Sequence, residues 1–326
     1  MRTAFKTLLL ITTSTFCADP WVEYRGGQGP GHGKKVVLIS GDEEYRSEET
    51  LTQLGRILAT RHGFDCTVLY AIDPADGTIN PNVRNNIPGL STLKTADLMI
   101  IETRYRDLPD DQMKHIVDYI ESGRPIIGIR TATHAFKSKS TKYAAWDSDS
   151  KEWPGGFGRQ ILGECWVNHH GSHGKEGTRG RVIADVSQHP ILRGIKDGSV
   201  FGPSDVYGIR LPMPADCMPL LLGEVTATLD VNSPAVAGTK NDPMMPIAWT
   251  KTNGSRRVFA TTLGASQDFA NEGLRRLLVN ASYWAVGLEE SIPSASNVAI
   301  VGEFRPSPFR TDGFKKGVKP ADLAIK

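Results

Sequence analysis

Three of the chain's eight histidines, His169, His170 and His173, fall in the stretch NHHGSHG, from Asn168 to Gly174. Imidazole binds divalent metals, titrates near neutral pH and can hydrogen-bond a sugar. Gly171 and Gly174 free the backbone to turn. The spacing from His169 to His173 suits zinc or another divalent ion, provided Glu164, His134 or Asp205 adds a ligand. No Cys-x-x-Cys or His-Glu-x-x-His motif accompanies it. Direct sugar binding or acid/base work by one of these histidines, His169 among them, and a polar loop whose imidazoles bond to backbone are the other readings.

Short apolar runs alternate with amphipathic stretches ahead of this loop. Lys35–Ser40, Cys66–Tyr70, Asp97–Ile101 and Pro125–Ile129 read as strands. Ser47 is placed to cap a helix through about Arg61 that Gly63 ends, with Leu51, Leu54 and Leu58 as its apolar stripe. Pro109 opens a second helix, striped by Met113, Ile116, Val117 and Ile120 and stopped by Gly123. Fully apolar strands between amphipathic helices predict a mostly parallel sheet covered on both faces, a doubly wound, flavodoxin-like α/β/α arrangement. Further strands at Arg181–Ala184, Met218–Gly223, Pro246–Thr250 and Arg257–Thr262, and a helix over Asp268–Val286, read as a continuation of the same domain. Asp268 is a candidate cap for that helix.

In such a sheet, ligands bind beyond the strands' carboxyl ends. Three loops belong there. Gly41–Arg46 offers Glu43, Glu44 and Tyr45. Glu102–Arg106 offers Glu102, Arg104 and Tyr105. Arg130–His134 offers Arg130 and His134. Acids mixed with arginines and tyrosines suit a neutral polyol or a small carboxylated molecule. Asp42, Glu43 and Glu44 argue against a phosphate cradle, which needs glycines at a helix start. His134 is the leading acid/base candidate, with Arg130 and Glu102 positioning hydroxyls. Arg130 could instead form a buried pair with Glu43 or Glu102. Asp205 could orient a histidine and Tyr207 could be core. Trp146, Trp153 and Trp166 flank the histidine loop, where aromatic faces could stack on sugars or simply pack.

The blocks VVLISGDEEYRSEE, GRPIIGIRTATHAF, GRQILGECWVNHHGSHG, HPILRGI, PSDVYGI and PIAWTKTNGSRRVFATTLGASQDFANEGLRRLLVNASYWAVGLE together resemble the trehalose-utilisation (ThuA-like) family over residues 35–288. The resemblance implies a fold similar to class I glutamine amidotransferases. It also implies a role on a small-molecule carbohydrate, a keto-sugar or glycoside, with a sugar dehydrogenase as pathway partner. No certain cofactor is implied. Where the amidotransferase nucleophile would stand, this chain has Arg130 after Gly128-Ile129, and an arginine cannot form a thioester, which excludes glutaminase chemistry. The chain also departs from the family's usual histidine at position 130, its Gly-His at 264–265, and its Asp-Glu-x-Tyr at 204–207. A non-catalytic sugar-binding module and a metal-dependent hydrolase are the alternatives to histidine-assisted acid/base chemistry.

With 39% hydrophobic residues in 326, the chain can bury a large core. Its net charge of +2, with no basic stripe, excludes a nucleic-acid footprint. The start, MRTAFKTLLLITTSTFCADP, reads as a signal peptide over residues 1–18 for export to the periplasm or beyond, and is too short to span a bilayer. A lipoprotein anchored at Cys17 is the weaker form, because Phe16 precedes it. Residues 19–34 read as a Gly-rich lead-in, and 289–326 as a Pro/Ser/Gly-rich tail draped over the domain.

Overall fold

The structure, a computed structural model, describes residues 19–325. The signal-peptide expectation, with Cys17, lies outside them. The main sheet has ten strands. At its centre β2 (Lys35–Gly41) lies between β3 (Asp65–Leu69) and β4 (Leu98–Thr103). β4 is followed by β5 (Ile126–Ile129) and then β12 (Arg256–Thr261), and these five strands run parallel. Antiparallel strands extend both ends. β1 (Trp21–Tyr24) pairs with β3, so part of the expected lead-in is an edge strand. β11 (Met245–Asn253), β10 (Cys217–Thr226), β7 (Gly177–Val182) and β8 (Val200–Gly202) continue beyond β12. The sheet is therefore mixed, with a parallel core. A separate two-stranded ribbon joins β6 (Asn168–His169) to β9 (Tyr207–Gly208).

The central strands carry unbroken apolar runs, Val36–Ile39 in β2 and Leu98–Ile101 in β4, because both faces are covered. Val36 and Leu38 face one core, shared with α1 (Ser47–His62) and α3 (Glu272–Ala285). Val37 and Ile39 face the other, shared with α2 (Asp110–Glu121). The stripes of all three helices are buried, each large aliphatic side chain contributing ~1.5–3 kcal/mol. Two expected caps are corrected. The Ser47 hydroxyl, rather than capping α1, meets Ser40 Oγ at 2.8 Å and accepts from the Asp42 N–H at 3.1 Å, tying down the loop after β2. Asn271 caps α3, accepting from the Leu274 N–H, while Asp268 accepts from Gly264 and Ala265 N–H and from the Ser204 hydroxyl.

Left-handed backbone is rare outside glycine. Four described non-glycine residues adopt it, and three mark the three ligand-side loops: Arg46 (φ 65°), Tyr105 (φ 46°) and Arg130 (φ 42°). Such strain concentrates where a loop must aim side chains. Gly264 supports the turn after β12, since a Cβ there would sit 2.1 Å from the Ile129 methyl.

The C-terminal segment is fastened along α1. Leu323 O accepts from Tyr24 Oη and Arg56 Nη2, both at 2.7 Å, and Val318 O accepts from the Ile79 N–H at 2.8 Å. No helix among the described residues is long and apolar enough to cross a membrane.

Candidate functional site

The ribbon β6–β9 sets His169 opposite Tyr207, and the turn through Gly171 returns His173 to the same spot. Asp205, fully buried, lies beneath both rings. His169 Nδ1 is 2.6 Å from Asp205 Oδ2, and His173 Nδ1 is 3.1 Å from Oδ1. The two imidazole centroids are 4.6 Å apart. Among the described residues His169, His173 and Asp205 are the group able to hold a metal, with ligand atoms within 4.8 Å of one another. His170 does not join them: its Nε2 lies 2.8 Å from the Lys240 carbonyl. Glu164 does not join either, being held by Arg159 and Arg210.

Arg130 supports the cluster from below. It is fully buried, its guanidinium 4.1 Å from the Tyr45 ring and 4.2 Å from the Tyr207 ring. It donates to Asp205 Oδ1 at 3.1 Å and to the carbonyls of Thr262 (2.7 Å) and Asp205 (3.3 Å). Its ion-pair partner is thus Asp205, not Glu43 or Glu102, and its burial removes it from ligand contact. Burial alone would raise the Asp205 carboxyl, but the His169 hydrogen bond and the Arg130 charge hold it below its ordinary range.

The loop acids divide. Glu43 is taken up by Arg84, Arg104 and Arg106 at 3.0, 2.6 and 2.5 Å, a knot that fixes two loops to each other. Glu44 stays with the histidines, its Oε1 3.3 Å from His173 Nε2 and its Oε2 3.4 Å from Arg104. Glu102, expected to position hydroxyls, is fully buried, with neither oxygen hydrogen-bonded. Burial, reinforced by the charges of Asp42 and Glu48, pushes it well above its ordinary 4.5. A carboxyl held protonated in the fold must release its proton on unfolding at neutral pH, so stability declines as pH rises above that ordinary value. The isosteric Glu102→Gln should therefore raise stability at pH 8 by about 1–3 kcal/mol. The gain should vanish near pH 4 in urea titrations, and a gain independent of pH would contradict the assignment.

His134 is buried against Tyr105 and Trp166, with ring centroids at 5.0 and 5.2 Å, and its Nδ1 is 3.2 Å from Thr133 Oγ1. Burial, aided by the Arg104 and Arg130 charges, drives it well below the usual imidazole range. Its uncharged form is thereby favoured, and the ring named from sequence as the acid/base candidate lies buried rather than open to solvent. Of the flanking tryptophans only Trp166 reaches the site, 5.6 Å from His169; Trp146 and Trp153 stack on each other at 5.0 Å. Phe309, which no sequence signal singled out, lies 4.9 Å from His173 and 5.2 Å from Tyr45. A cavity of about 740 Å³ opens elsewhere, between α1 and the C-terminal segment, and none of the residues picked from the loops lines it.

No curated protein matches the sequence. Among solved structures, a ThuA-like protein from Parabacteroides merdae is 14% identical, covering 87% of this chain and 99% of that one, with a TM-score of 0.49. One from Bacteroides uniformis is 16% identical, over 80% and 95%, with a TM-score of 0.48. The carbohydrate deacetylase Agd3 is 13% identical, over 78% of this chain and 32% of that one, with a TM-score of 0.39. The ThuA family model, described as trehalose utilisation, matches residues 35–285, most of the chain. This protein belongs to the ThuA family.

Proposed function

We propose that the protein processes a carbohydrate, a keto-sugar or keto-glycoside, at the His169–His173–Asp205 cluster, with a divalent cation of the zinc class as electrophile. One observation carries this reading. Two imidazoles turn the same nitrogen, Nδ1, onto the two oxygens of one buried carboxylate. Ligands bound to zinc at ~2.0–2.1 Å lie roughly 3 Å from one another, and these three residues bring their ligand atoms within 4.8 Å of one another, close enough for small side-chain rotations to gather them around an ion. The outer partners fit as well. Metal-bound histidines usually give their other N–H to a carboxylate, and Glu44 stands at His173 Nε2. Arg130 holds the Asp205 oxygen shared with His173.

Two imidazoles and a carboxylate leave coordination positions open, as catalytic sites do. The cation, when bound, would polarise a substrate carbonyl. Enolisation or elimination beside a keto group needs that polarisation and a base. Buried Arg130 is not free to supply the first, which favours the cation over the arginine. Arg130 instead fixes Asp205, Glu44 orients His173, and neutral His134 is in its base form. A sugar dehydrogenase that makes the keto group is the partner class this reaction requires. Export through residues 1–18 belongs to the same proposal and is checked by the mass of the mature N-terminus.

The experiment is incubation of zinc-loaded protein with 3-keto-glucosides in D₂O, followed by NMR. Deuterium uptake beside the carbonyl, or consumption of the glycoside, is expected. Saturable binding without either would make the protein a non-catalytic sugar-binding module. Neither binding nor exchange would remove the carbohydrate assignment.

A further inference from the structure

The C-terminal segment RPSPFR, Arg305–Arg310, lies beyond the span matched by the family yet reaches the histidine cluster. Pro306 and Pro308 restrict its backbone. Ser307 is gripped by Glu49 of α1, its N–H donating to Oε2 at 2.8 Å and its hydroxyl to Oε1 at 2.7 Å. The Arg310 N–H donates at 2.9 Å to the carbonyl of Glu44, the residue whose carboxylate stands at His173. Phe309 is thus pinned on both sides. Its half-buried ring lies 4.9 Å from the His173 ring and 5.2 Å from the Tyr45 ring. Trp166 flanks the other imidazole, His169. The histidine pair therefore sits between two aromatic walls, Trp166 from within the family-matched span and Phe309 from the tail beyond it.

We infer that Phe309 is a specificity-determining residue of this site: it walls the His173 side, and a pyranoside ring lays its C–H face against it. The screening of His173 stands on geometry alone, while the identity of the ligand rests on the carbohydrate reading above. A flat apolar ring suits the C–H face of a sugar, and a rigidly held ring loses little entropy on contact. Phe309 offers no polar atom, so its part is recognition rather than chemistry.

Two readouts on the full chain test this. The first needs no substrate. In chelator-treated protein, diethyl pyrocarbonate labelling of His173, followed by peptide mass mapping, should be about 3-fold or more faster in Phe309→Ala than in wild type. Phe309→Trp should restore the slow rate. Equal rates in wild type and Phe309→Ala, with unchanged circular dichroism, overturn the wall. The second uses the 3-keto form of methyl glucopyranoside. Phe309→Ala should raise KM about tenfold with little change in kcat, and Phe309→Trp should recover it. Unchanged KM beside faster labelling leaves a wall that does not touch sugar and overturns the specificity role. Wild-type protein inert towards this probe removes the sugar as ligand, while the labelling result still decides the wall.

Discussion

Purified protein should carry about one zinc per chain by elemental analysis, and His169→Ala or His173→Ala almost none: this is the largest effect the cluster predicts. In the proposed site three side chains would hold the ion, and loss of one would leave two ligands, too few for a stoichiometric site. Glu44→Gln should be milder. Glu44 touches only the far nitrogen of His173, at 3.3 Å, and removal of such an outer partner typically weakens metal binding 10–100-fold. His170→Ala is the control. Its ring is committed to the Lys240 carbonyl, so zinc content should not change although a histidine of the same loop is gone. Equal zinc loss in the His170 and His173 variants would mean adventitious binding to an imidazole-rich loop. Wild-type protein that takes up no zinc on titration would remove the cation from the mechanism.

The fold was largely legible in the sequence, because burial on both faces writes itself as unbroken apolar runs. Lys35–Gly41 and Leu98–Thr103 lie close to where their β-branched and aliphatic runs put them. The antiparallel half was harder to read. β10 mixes buried, half-buried and exposed positions while β11 is buried from Pro246 to Lys251, and nothing in either local pattern reports strand direction. In the site, loop position told which residues gather but not what each one holds. Asp205 was one of three residues, with Glu164 and His134, able to complete the histidine set, and only the ribbon β6–β9 decides that it lies under His169. Glu43 and Glu44 are adjacent and chemically alike. One is spent on three arginines and the other faces the histidines, a difference made entirely by loops distant in sequence. Phe309 left no signal, since it shares a Pro-rich tail with Phe304 and Phe314 at five-residue intervals that match neither helix nor strand period.

Replacement of Arg130 by Met should destabilise the metal-free protein by about 3–5 kcal/mol, the usual result of stripping one partner from a buried ion pair. The arginine is fully buried, stacked between Tyr45 and Tyr207, and bonded to a carboxylate and two carbonyls. Methionine keeps much of the length and apolar volume, so the change isolates charge and hydrogen bonding rather than opening a large cavity. It leaves the buried Asp205 carboxylate without its fixed cation and two carbonyls without a donor. The same experiment reports on the proposed metal. If zinc is held by His169, His173 and Asp205, it would supply positive charge to the carboxylate that Arg130 no longer neutralises. Urea titrations of wild type and Arg130→Met, each with and without zinc, should then show a smaller penalty in the zinc-loaded pair. A penalty of the same size in both conditions would place the cation away from Asp205. A penalty under about 1 kcal/mol without metal would mean that the buried Asp205 carboxylate does not depend on Arg130.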